Sequence, residues 1–280
     1  RYLAQFRPVE EIAEGDDPVM VGNLFHALLQ DCYEPWVGRD LPGGKELHDL
    51  LFEEMTAALH ASSYYQTLAL ALPADSAVML LKAGEKRIRN YLLSQPPTRI
   101  LAQESALAAP VTVLGRRFNL FGKADRVDLR QFSDDSGNAS PGIHIIDYKT
   151  GRLPELQSSI WENDLLWERM AAWQPGRERE AASGQAVIRD LAKNLQSVQL
   201  PYYLLLYGLG AAPPFPTRQQ LHLCNAAWVE LADKGEDKKL FHHNNSSYNN
   251  WDFVIDRGLS LTAFLLRHML QSEYLIPAQG

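Results

Sequence analysis

The chain has 280 residues, and 46% hydrophobic content is enough for a sizeable core in one large or two small domains. Its net charge of −7 has the wrong sign for a module that grips nucleic acid through bulk electrostatics, which rests on clustered Lys and Arg. No run of about 18 apolar residues suggests a membrane span, the start lacks the pattern of a secretory signal, and only Cys32 and Cys224 are present, far apart, so the sequence reads as cytoplasmic.

Asp17-Pro18 reads as an N-cap followed by proline in a first turn, predicting a helix through about Tyr33. Leu24, Phe25, Leu28, Leu29 and Cys32 form its apolar stripe, while Gly22, His26 and Gln30 share another face that the glycine lets approach a neighbouring backbone. Helical patterns recur from about Leu47 to His60 and from Ala77 to Leu93, where Pro96-Pro97 ends them. Lys82, Lys86 and Arg89 make a basic stripe that reads as a solvated face. Strand-like runs follow at Gln103 to Ala108, Val111 to Leu114, Phe118 to Leu129 and Ile143 to Lys149, the last two joined as a hairpin by a turn-rich linker. After that come an aromatic and charged stretch holding Trp161, Trp167 and Trp173, a long helical pattern from Val187 to Leu209, a strand from Leu221 to Leu231 and a final helix from Leu259 to Tyr274. His242 to Ser247 reads as an exposed loop.

The segment Gly142-Ile143-His144-Ile145-Ile146-Asp147-Tyr148-Lys149-Thr150-Gly151 carries the most chemistry. Residues two apart on a strand share a face, so Asp147 and Lys149 project together while Ile146 and Tyr148 point into packing. A carboxylate beside an ammonium can hold a divalent metal and steer a water; the bland alternative is a salt bridge at a strand end. Upstream, Gly122-Lys123-Ala124-Asp125-Arg126-Val127-Asp128 supplies another acid, with Arg126 and Asp128 placed to form a structural ion pair. Glu104 is a candidate for support from outside the ligand set.

The pair GKADRVD and IIDYKTG resembles the core of the PD-(D/E)xK nuclease superfamily, in particular its RecB-like branch, to which the nuclease domains of helicase–nuclease subunits belong. Gly22-Asn23-Leu24-Phe25-His26 matches the upstream G-x-x-x-H helix of that branch, and Gln199-Leu200-Pro201-Tyr202-Tyr203 its downstream Q-x-x-x-Y helix. Each motif is weak alone; four in order make a specific signal, running from the first residues to about Tyr207 and more loosely to the end. About forty extra residues between the last two motifs are this chain's departure from the pattern.

The resemblance implies an α/β restriction-endonuclease-like core, a central mixed sheet with an antiparallel meander flanked by helices, and residues 1–280 as a single nuclease domain with a helical insertion at about 153–190, excised from a longer protein. It implies Mg²⁺ or Mn²⁺ held by His26, Asp125, Asp147 and the backbone carbonyl of Tyr148. Hard oxygen donors suit such ions. Lys149 would orient or deprotonate the attacking water, with Gln199 and Tyr203, one helical turn apart, beside it. The implied activity is phosphodiester hydrolysis in DNA, exonuclease before endonuclease, in double-strand-break repair beside a helicase, since the chain has no phosphate-binding ATPase loop of its own. Divalent ions at the acidic site would supply the positive charge that the −7 balance lacks. The alternatives are a catalytically silent fold that binds DNA ends or scaffolds a partner, and a CRISPR-adaptation exonuclease. The insertion's tryptophans read as packing before DNA stacking. Two cysteines cannot ligate the iron–sulfur cluster of helicase-linked relatives, so none is expected in this chain.

Overall fold

A computed structural model describes residues 18–133, 138–151, 153, 160–161, 163–173, 178–195, 197–210, 216–241 and 249–271. In chain order these form α1 (Pro18–Tyr33), a 3₁₀ turn (Glu34–Trp36), β1 (Asp40–Leu41), α2 (Gly44–Ala61), α3 (Ser63–Ala71), α4 (Ala74–Ser94), β2 (Thr98–Val113), β3 (Arg116–Ser133) and β4 (Ala139–Lys149). There follow α5 (Asp164–Ala172), α6 (Glu178–Asn194), α7 (Gln199–Leu209), β5 (Leu223–Glu230), β6 (Asp237–Lys239) and α8 (Trp251–Gln271).

The six strands make one mixed sheet in the order β1-β2-β3-β4-β5-β6, antiparallel throughout except for the parallel pair β4 and β5. That parallel step needs a crossover, supplied by α5 to α7. Helices cover both faces. One core joins α1 to α4 to the sheet through Leu24, Leu51, Tyr91 and Ile146, and the other joins α5 to α8 through Trp167, Leu204, Phe264 and Ile145. β4 is buried from Gly142 to Tyr148 and flanked on both faces, which its Ile143, Ile145 and Ile146 suit, while the two polar side chains in that span, His144 and Asp147, are buried with it.

The expected stripe of α1 is buried throughout. Gly22 needs no special space: a Cβ there would lie 3.5 Å from Thr150 Oγ1, an ordinary contact. Three boundaries differ from the sequence reading. β2 is one strand rather than two short runs, and it carries Pro110 because β1 reaches only Thr98 and Arg99, so beyond them β2 is an edge where the missing N–H is not needed. The helix expected over 187–209 is divided into α6 and α7. Ser197 Oγ accepts the Gln199 N–H at 3.2 Å, and Pro201 stands in the first turn of α7, where a proline that would break a helix interior is tolerated. The last helix begins at Trp251, because Asn250 Oδ1 accepts the Phe253 N–H at 2.9 Å and caps it. Tyr274 and the His242 to Ser247 stretch lie outside the described residues.

The insertion's tryptophans are core residues. Trp161 stacks on Trp167 with centroids 5.1 Å apart, Trp173 meets Phe264 edge-on at 5.3 Å, and all three rings are buried. They are not free to stack on DNA. Cys32 and Cys224 lie buried in opposite cores.

Candidate active site

β3 and β4 pair from Ser133↔Ala139 to Arg126↔Ile146 and then part. Into the gap comes the carboxylate of Asp125, whose Oδ2 accepts the backbone N–H of Tyr148 at 2.7 Å, taking the place of a ladder partner. The same residue is held from α1: the Tyr148 carbonyl lies 3.1 Å from His26 Nε2. His26 Nδ1 then stands 3.5 Å from Asp125 Oδ1. With Nε2–H donated to that carbonyl, Nδ1 presents a lone pair toward the acids.

Glu104 joins them. Gln103 pairs with Arg126 and Ser105 with Ala124, so Glu104 lies opposite Asp125, and its φ of 48° puts a side-chain-bearing residue in the left-handed region. Strand alternation fails here on both strands. Gln103 reaches Gln30 of α1 and Glu104 also faces α1; Asp125 contacts His26 while its neighbour Arg126 packs over the ring of Tyr33, at the end of the same helix. The outcome is a group of His26, Glu104 and Asp125 whose ligand atoms lie within 4.8 Å of one another. An imidazole and two carboxylates at that spacing are a donor set suited to Mn²⁺ or Mg²⁺. Backbone strain of this kind costs about 1–3 kcal/mol and tends to collect at functional sites.

Asp147 and Lys149 project together, Lys149 Nζ lying 2.5 Å from Asp147 Oδ2. Gln199, the first residue of α7, donates Nε2–H to Asp147 Oδ1 at 2.8 Å and to the hydroxyl of Tyr203 at 2.9 Å. α7 can come this close because β3 carries Gly122, where a Cβ would stand 2.8 Å from Leu206 and 3.3 Å from Tyr203. The structure therefore brings together every residue singled out from the sequence: His26, Asp125, Asp147, Tyr148, Lys149, Gln199 and Tyr203. Glu104, read from the sequence only as a supporting residue, stands inside the donor group.

The electrostatics fit a cation site. Burial, then repulsion from Asp125, pushes the Asp147 carboxyl up to about 6 despite Lys149. Burial would lower His26, but the hydrogen bond and charge of Asp125, with the Tyr148 carbonyl, raise it overall. Lys123 pairs with Glu104 from the solvent side.

Behind the site, Arg126 donates to Asp128 Oδ2 at 2.7 Å and to the Tyr91 hydroxyl at 2.8 Å, and Tyr91 meets the Tyr148 hydroxyl at 3.3 Å. Arg130 donates to Asp128 at 3.0 Å and also to Asp237, beside which His144 lies at 3.2 Å. Arg126 is the structural partner of Asp128 and, 1% exposed, is closed to any phosphate.

The sequence profile of the PD-(D/E)XK nuclease superfamily matches residues 1–247. The chain belongs to that superfamily. Its mixed α/β sheet has the restriction-endonuclease-like architecture of these nucleases, which typically use divalent metal ions. No curated protein and no solved structure matches the chain. The Asp147–Lys149 pair stands at the end of β4.

Proposed function

We propose that the chain is a Mg²⁺- or Mn²⁺-dependent deoxyribonuclease of the RecB-like branch, acting as an exonuclease beside a helicase in double-strand-break repair. The observation that carries the catalytic part is the convergence of His26, Glu104 and Asp125 within 4.8 Å, next to the Asp147–Lys149 pair. The order and spacing of the four motifs support the branch and, with it, the helicase partner and cytoplasmic location.

His26 Nδ1, the carboxylates of Asp125 and Asp147, and the free lone pair of the Tyr148 carbonyl would hold the ion, and Glu104 completes the set. A bound divalent ion supplies charge neutralisation for the phosphoryl oxygens and activates water. The chain's own residues do the rest. Asp125 is oriented by the Tyr148 N–H, and His26 is aimed by the Tyr148 carbonyl, so the two peptide groups flanking one residue position two donors. Lys149 lies where it can orient a water and take or shield its proton. Gln199 fixes Asp147 while Tyr203 supports Gln199.

The test is incubation of the purified chain with end-labelled DNA, with Mg²⁺ or Mn²⁺ and with chelator. Cleavage restricted to the metal lanes, and lost in Asp147→Ala, supports the reading; metal-independent cleavage, or an Asp147→Ala chain as fast as the parent, overturns it. Release of mononucleotides from ends would support the exonuclease mode, and cutting of circular DNA would contradict it.

A further inference from the structure

Beyond the site acids, β2 and β3 run on as a hairpin with one face covered and one bare. Leu107, Ala109, Val111 and Val113 are buried on the covered face, which meets α7 at Gly122. On the other face Ala106 pairs with Lys123, Ala108 with Phe121 and Thr112 with Arg117, and all six are exposed. The Phe121 side is anchored through its backbone, the carbonyl accepting from the Tyr202 hydroxyl at 3.1 Å, while the residue is 69% exposed. Between Glu104 and Asp125 the hairpin carries Arg116, Arg117 and Lys123 and no acid, in a chain of net charge −7. The row Arg117, Phe121, Lys123 leads along β3 to Asp125, with Phe121 about 13 Å from it at the usual rise of a strand.

We propose that this face holds the strand being cleaved as an unpaired single strand, with a base stacked on Phe121 and phosphates beside Lys123 and Arg117. A single exposed phenylalanine needs no explanation by itself. Here it stands in line with cations, with alanines across the pair leaving room beside the ring, and the row ends at the candidate metal donors. Stacking on an aromatic ring requires a base whose face is free, which a duplex does not offer and a single strand does. The charge complements phosphate where the rest of the chain repels it. This names the substrate of the nuclease reading and rests on it.

The test separates the two. Binding of a labelled oligothymidylate and of a blunt duplex is followed by fluorescence anisotropy in chelator at low salt, for the parent, Phe121→Ala, Phe121→Trp and Arg117→Ala, with melting curves and light scattering for each. Phe121→Ala should weaken single-strand binding about tenfold, the scale of one stacked base, and leave duplex binding unchanged. Phe121→Trp should retain affinity, and Arg117→Ala should lower the salt slope on single strands by about 0.7. Parent-like single-strand binding by Phe121→Ala, equal losses on both DNAs, or no binding by the parent would each overturn the inference, as would a change of molecular mass in Phe121→Ala, which would assign the face to a second copy. A parent that cleaves DNA while Phe121→Ala binds normally sinks this inference alone. A parent that binds through Phe121 but cleaves nothing with Mg²⁺ or Mn²⁺ upholds it and sinks the nuclease reading.

Discussion

Two clusters of charge share strand β3 and are built on opposite plans. In the interior, Arg126 and Arg130 face Asp128 and Asp237, two cations against two acids, with none of the four side chains more than 6% exposed. At the rim, among the described residues, Glu104, Asp125 and Asp147 are paired in charge with Lys123 and Lys149, both partly open to water, and the half-buried His26. Planar, always-charged guanidinium groups with several donors suit a closed network; a lysine is a point charge on a flexible stem that can be displaced. The interior set is balanced in charge within the fold. The rim set has a surplus of acid, and Asp147 is held with its carboxyl pushed up to about 6. On the proposed reading, matched charge belongs to the fold and the unmatched charge at the rim is the place for a cation.

The largest effect should come from the rim. Asp147→Asn should reduce metal-dependent cleavage by roughly 10³-fold or more, since it weakens the ion that stabilises developing charge. In chelator at neutral pH the same variant should be more stable than the parent by about 2 kcal/mol, because it removes a carboxylate that burial and Asp125 disfavour. Lower stability there would show that the rim acids hold the fold together.

Interior substitutions should do the reverse. Arg126→Met should cost about 3–5 kcal/mol in denaturant unfolding, as it leaves Asp128 short of a partner in a buried site. A loss under about 1 kcal/mol would break the distinction between the two clusters. His144 offers a test by pH: burial, aided by Arg130, lowers it to about 4 from an ordinary value of 6.5. Between those values the unfolded chain binds the proton and the folded chain does not, so stability is lost as pH falls from 6.5 through 4, by roughly 3 kcal/mol in all. The stability gap between parent and His144→Gln should therefore shrink over that window; a constant gap would place the imidazole's titration outside the fold. Lys149→Ala should slow cleavage about 10²-fold while leaving metal affinity near that of the parent, which separates water handling from ion binding.

Much of the site was legible because it rests on fixed periods. Asp147 and Lys149 are two apart on a strand, and Gln199 and Tyr203 are four apart on a helix, so each pair shares a face whatever surrounds it. His26 follows from the face of α1 opposite its apolar stripe. Glu104 was read only as a supporting residue, because a single left-handed φ breaks the alternation of β2, and nothing in Gln103-Glu104-Ser105 announces it. The interior network was legible only as Arg126 with Asp128. Arg130, His144 and Asp237 meet through tertiary packing, with Asp237 contributed by β6, which has no pattern of its own over three residues. The break between α6 and α7 comes with a local hydrogen bond from the Gln199 N–H to Ser197 Oγ, a competition with the helix that hydrophobic periodicity does not register.

The central claim is that the surplus acid at the rim exists to hold a divalent ion. Calorimetric titration of Mn²⁺ into the parent, His26→Ala and Asp125→Asn tests it most directly. Saturable binding by the parent, weakened about tenfold or more in both variants with their melting curves intact, is the predicted result. Binding of equal strength in all three chains, or none in the parent, would contradict it.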